Sequence, residues 1–149
     1  MRFLSRFFSI FRAFSRKTTD EVVPQRRSEP PNSQLARFVL SDGRVSHGRA
    51  NHRAFMPPPD LELSMFNIDD LDTSGVWAIG NEIRLEQQKS TLYGRADLVT
   101  RMATASGVQA IRDDQPLRHV VLVGWPANKA DQKAIAQKLA ASSTWVPFE

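Results

Sequence analysis

The segment HVVLVGW, residues 119–125, holds four consecutive aliphatic side chains, Val120 to Val123. Side chains on a strand alternate between two faces, so such a run has no polar face to turn to water. It reads as a strand buried on both sides, and the rest of the chain has to supply the sheet around it. RFVLS (37–41) reads as a first strand, followed by a turn at Asp42-Gly43. LELSMFNI (61–68) sets Leu61, Leu63 and Met65 against Glu62, Ser64 and Phe66, a strand with one apolar and one partly apolar face. Residues 95–103 and 108–112 read as strands on either side of a Ser106-Gly107 turn.

Two helices accompany these strands. The first runs from Ser74 to about Gln88, capped by Thr73 or Ser74, with Asp69, Asp70 and Asp72 near its positive end. Its core face is Val76, Trp77, Ile79, Gly80 and Ile83. Asn128 caps the second, with Asp131 at the third position and Ala130, Ala134, Ile135 and Leu139 facing inward. The expected class is therefore α+β: a small antiparallel or mixed sheet with two main helices. Between the first two strands, SHGRANHRAF (46–55) is polar and irregular, and MPPPD (56–60) is held extended by its prolines.

Ahead of this domain, assigned to residues 36–149, lie two segments of different character. Residues 18–35 contain Pro24, Pro30 and Pro31 and read as a linker. Residues 1–17, MRFLSRFFSIFRAFSRK, carry five phenylalanines and five basic residues with no acid. Phe3, Leu4, Phe7, Phe8, Phe11 and Phe14 follow the i, i+3, i+4, i+7 spacing of a helix with one apolar stripe. Arg2, Arg6, Arg12, Arg16 and Lys17 fall mostly on its other faces. A helix of this length, about 24 Å, is too short and too charged to span a bilayer. An amphipathic helix of this composition can lie in a membrane interface, its stripe in the acyl boundary and its arginines at anionic headgroups. The same composition describes an organelle presequence, and a helix docked on its own domain or on a protein partner satisfies the pattern as well.

Charge is divided in the same way. Residues 1–35 hold seven basic and three acidic side chains, whereas residues 36–149 hold thirteen of each. A nucleic-acid-binding domain usually carries its basic footprint on the fold itself, so the balance argues against nucleic-acid binding by the folded part. It leaves a basic-tailed nucleic-acid accessory protein as a weaker reading. With no cysteine, thiolate catalysis, disulfides and cysteine-ligated zinc are excluded.

Two groups of residues are candidates for ligand chemistry. His47 and His52 share the irregular 46–55 segment with Arg49 and Arg53, where two imidazoles offer acid–base or ligand chemistry. Their spacing matches no metal signature, so no metal is assigned. Arg95 and Asp97 alternate on one strand and point to one face, and His119 opens the apolar strand. Were those strands neighbours, Arg95, Asp97 and His119 would converge with Arg37, holding an anion through the arginines and moving a proton through the histidine. Asp70, Asp72, Ser74 and Gly75 match the first half of a calcium loop, but Asn81 stands where a bidentate Glu is needed; helix capping accounts for the acids better. There is no phosphate loop, no G-x-S-x-G elbow and no H-E-x-x-H motif, and no cofactor is implied.

The succession RFVLS, AFMPPPDLELSMF, GRADL and RHVVLVGWP, followed by a lysine-rich helix, resembles a group of small uncharacterised bacterial proteins over about residues 37–142. That resemblance implies no activity. The reading that follows is an accessory or adaptor domain held at an anionic membrane surface by its N-terminal helix, cytoplasmic and peripheral, with organelle targeting as the alternative location. Its rival is a small enzyme or anion-binding domain using the Arg/His/Asp residues.

Overall fold

The structure, a computed structural model, describes residues 25–149. The expected helix over 1–17, with its membrane-facing residues, and the first part of the linker lie outside the described residues. The fold is α+β. Among the described residues nine strands occur, in the order β1 (Arg27–Ser28), β2 (Gln34–Val39), β3 (Val45–Ser46), β4 (Arg49–Ala50), β5 (Leu63–Asn67), β6 (Gly94–Val99), β7 (Gln109–Arg112), β8 (His119–Val123) and β9 (Thr144–Pro147). Helix α1 (Thr73–Glu86) lies between β5 and β6, α2 (Thr100–Ser106) follows β6, and α3 (Lys129–Ser142) follows β8.

Seven strands form one sheet in the order β1-β7-β8-β5-β2-β6-β9, every pairing antiparallel. The apolar run sits where its composition demands: β8 is interior, between β7 and β5, with His119 through Leu122 buried. Register and alternation sort the sheet into two faces. Leu35, Leu63, Met65, Leu98, Ala110, Val120 and Leu122 share one face with α2, α3, the β3–β4 hairpin and a short 3-10 helix (His52–Phe55). Ala36, Phe38 and Phe66 face the other way and pack with Val76 and Ile83 of α1.

Helix α1 approaches the sheet closely because Gly80 lacks a side chain: a Cβ there would come within 2.7 Å of the Phe38 ring. Its N-cap is Asp72, whose carboxylate accepts from the Gly75 amide at 2.8 Å, in place of the expected Thr73 or Ser74. Asn128 caps α3 as expected, accepting from Ala130 and Asp131. The buried face of α3 is rotated from the expected one: Gln132, Ala136, Leu139 and Ala140 are inside, while Ala130 and Ala134 are exposed. The Gln132 side chain holds α3 to the preceding turn through the Pro126 and Ala127 carbonyls.

Three further expectations are corrected. The strand expected over 95–103 ends at Val99, because its partner β2 runs out at Gln34, opposite Val99. The chain then turns into α2, a third helix, anchored by the Thr100 amide on Ser33 and the Arg101 amide on Pro31, and ended by Gly107 at φ 111. Residues 144–147, given no element from sequence, form edge strand β9 against β6. The linker assigned to 18–35 gives way to structure before the domain's expected start at 36. Arg27 and Ser28 pair with β7, and buried Glu29 accepts a 2.6 Å hydrogen bond from Asn67.

Leu122 is fully buried between strands and helices. Leu122→Ala should cost about 2–5 kcal/mol, the price of a core cavity. Urea unfolding should show it as a lower midpoint at unchanged slope.

Candidate functional site

The polar residues of interest lie on different parts of the sheet. Arg37 sits on the α3 face of β2, 7 % exposed. Its Nε donates to the Ala54 carbonyl at 2.8 Å and its Nη1 to the Ser64 carbonyl at 3.0 Å. Burial, with Arg44 nearby, lowers its pKa to about 9. Arg37 thus ties the 52–55 turn onto the sheet.

The histidine segment packs beside it. His47 and Gly48, at φ 54 and 71, make the two-residue turn of the β3–β4 hairpin, a position that needs left-handed backbone. His52 opens the 3-10 helix capped by Asn51, with its pKa lowered by burial and by Lys133 and Arg53. Arg49 donates to the Ala141 carbonyl at the end of α3. Among the described residues, no three His, Asp or Glu side chains gather at metal-binding spacing.

Arg95 and Asp97 do share a face, opposite Arg37. Arg95 Nε reaches both Asp97 oxygens, at 3.0 and 3.1 Å, and its guanidinium lies 4.7 Å from the Trp77 ring centre. Burial raises the Asp97 pKa against the pull of Arg95. The pair clamps α1 to the β6–β9 edge, where Trp77 also meets Phe148 edge-on.

His119 is on the same face as Arg95, yet β5 and β2 stand between their strands. At about 4.8 Å per strand, three steps separate the two backbones by roughly 14 Å. The convergence of Arg37, Arg95, Asp97 and His119 expected from sequence is therefore not formed. Arg37 points to the other face, and Phe38 and Phe66 stand on the strands between Arg95 and His119.

What His119 does have is a relay of its own. Its Nδ1 lies 2.7 Å from Asp113 Oδ1 and its Nε2 lies 3.0 Å from Ser64 Oγ. A carboxylate oxygen can only accept, so Nδ1 carries the proton and Nε2 accepts from the serine hydroxyl. Burial holds the imidazole below its ordinary value of about 6.5, outweighing Asp113, which pulls the other way. The Phe66 ring meets it edge-on at 5.4 Å.

Sequence reasoning did not find Ser64 or Asp113. The one signal was a serine on the partly apolar side of β5, among residues that otherwise pack.

The connectivity is that of an activated serine, but the setting is not. Ser64, His119 and Asp113 are all at most 5 % exposed. Ser64 sits inside a ladder opposite Val121, and its carbonyl is taken by Arg37. Acyl transfer needs amide donors aimed at a developing oxyanion, and a serine in mid-strand places none there. The relay instead joins β5, β8 and the 113–118 loop.

Comparisons with protein-family models, curated proteins and solved structures found no match.

The relay predicts a pH dependence. A histidine whose folded pKa lies below its unfolded value binds its proton more readily in the unfolded chain. Stability is therefore full above about pH 6.5 and falls as pH drops from there toward the folded pKa. The melting temperature should decline between pH 7 and 5.5. His119→Gln should lower it overall and flatten most of that slope, whereas His52→Gln should leave most of the slope in place.

Proposed function

We propose that this chain is a non-catalytic accessory or adaptor domain tethered at an anionic membrane surface by residues 1–17. What supports the reading is the dispersal of the charged candidates. Arg37, the Arg95–Asp97 pair and His119 are each engaged inside the fold, at separate places. A folded part with balanced charge, preceded by a basic, phenylalanine-striped segment, puts the distinctive chemistry in that segment. No helix among the described residues is long and apolar enough to cross a membrane.

Two forces act in such a tether and they separate experimentally. Phe7→Ser with Phe11→Ser removes the middle of the stripe and should weaken flotation with neutral and anionic phospholipid vesicles alike. Arg6→Gln with Arg12→Gln should weaken only the anionic case, and added salt should mimic that loss. Vesicle recovery that ignores the phenylalanine pair sinks the tether.

A second reading, an enzyme built on the Ser64–His119–Asp113 relay rather than on the Arg/His/Asp cluster expected from sequence, has its own check. The native full chain should resist a fluorophosphonate that labels activated serines. Stoichiometric labelling lost in Ser64→Ala would establish the enzyme instead.

A further inference from the structure

Helix α1 roofs only half of its face of the sheet. Its apolar cluster takes in Ala36 and Phe38 of β2, Phe66 of β5, and Leu92, and includes no residue of β7 or β8. On that same face β8 presents Val121 and Val123, and β7 presents Ile111. Val121 is 1 % exposed, yet it belongs to neither apolar cluster formed by the described residues. Helices α2 and α3 are on the opposite side.

The chain itself leads to this patch. Strand β1, at the sheet edge, is three strands away from β5 in the order β1-β7-β8-β5. Nevertheless Arg26, the residue just before β1, forms a bidentate pair with Glu62, just before β5, at 3.0 and 3.3 Å. Both charges also act on His119, which lies on this face of β8. The Arg26 side chain therefore reaches back across the Val121 face of β7 and β8 toward the start of β5.

We propose that residues 3–14 dock as a helix across β7, β8 and β5, with Phe7, Phe8, Phe11 and their neighbours covering Val121, Ile111 and Val123. The lengths agree. Twelve helical residues measure about 18 Å, and the strands from β1 to β5 span roughly 14 Å between their axes. Residues 15–26 can reach about 40 Å when extended, so the tether permits the placement without strain. Attachment in cis gives this segment a millimolar effective concentration that a separate partner lacks. The stripe then has two alternative surfaces, and docking withholds it from lipid; that consequence rests on the tether proposed above, whereas docking does not.

Because the chain has no cysteine, Val123→Cys supplies a single reporter thiol on a half-buried position of the patch. In the full chain without lipid, adding Phe7→Ser and Phe11→Ser should speed its alkylation by a maleimide at least about tenfold. The same pair should lower the melting temperature by on the order of 5–10 °C. An alkylation rate unmoved by the phenylalanine pair overturns the docking, whatever happens to the melting temperature. A rate that slows as protein concentration rises assigns the face to a second copy and overturns it too. With anionic vesicles, Ile111→Ser with Val123→Ser should raise the bound fraction. Loss of that increase, with the alkylation result intact, removes the membrane reading and leaves the dock standing.

Discussion

A strand with no polar side must be roofed twice, and β8 imposes that on the whole fold. Val120 and Leu122 look toward α2, α3 and the hairpin; Val121 looks the other way. Each face of a sheet loses its apolar contact with water only when a second layer packs on it. One layer is continuous: Phe55, Leu63, Leu98, Leu122 and Leu139 form a single cluster beneath α3. The other is divided. Helix α1 is drawn to the β2–β6–β9 side by Phe38, by the Gly80 contact and by Trp77 against Arg95 and Phe148. It cannot also lie over β7, because a helix is only about 10 Å wide.

The polar groups buried within this frame set its register. In an antiparallel pair, a slip of one residue turns every side chain to the opposite face. For β8 such a slip would bring His119 among Leu63 and Met65, away from Ser64 and Asp113, and leave a buried imidazole without its hydrogen bonds. That costs more than the bonds contribute in place. Apolar runs such as VVLV are poor at fixing their own register, since each position resembles the next. Arg37 acts in the same sense on the other face: its guanidinium reaches the Ala54 and Ser64 carbonyls only when β2 and β5 are correctly placed. Residues that looked like a ligand site in the sequence thus specify the pairing of the central strands.

How far the sequence is readable follows from how local each determinant is. The composition of VVLV, the alternation in LELSMF and the Asn128 cap act within a few residues, and the corresponding elements are found, although the strand expected from Leu61 starts only at Leu63, after Leu61 at φ 59. Helix α2 depended on where β2 begins, 66 residues away in sequence between Gln34 and Thr100, and no local pattern in TRMATAS announces it. Strand β9 exists because β6 offers an open edge beside Gly94, which allows Trp145 and Val146 to approach. The candidate site failed for the same kind of reason. Alternation correctly put Arg95 and Asp97 on one face, but strand order decides which charges meet, and strand order is a property of the sheet. Ser64 and Asp113 are brought to His119 by pairing across 55 and 6 residues, and neither stands out in its own segment.

A phenylalanine stripe gains about the same by leaving water for a sheet face as for an acyl boundary, because apolar burial is nearly indifferent to its surroundings. What distinguishes the two destinations is charge. Docked on the fold as proposed, Arg2, Arg6, Arg12, Arg16 and Lys17 would sit beside a domain of balanced charge. At an anionic bilayer each basic side chain adds about 1 kcal/mol, so five of them favour the membrane by roughly 5 kcal/mol over a neutral surface. Docking in cis offsets part of this by avoiding the loss of translational freedom that membrane attachment carries. The balance therefore turns on lipid charge and ionic strength more than on the hydrophobic stripe. On the two proposals made above, the stripe would supply affinity for either surface, and the arginines would decide between them.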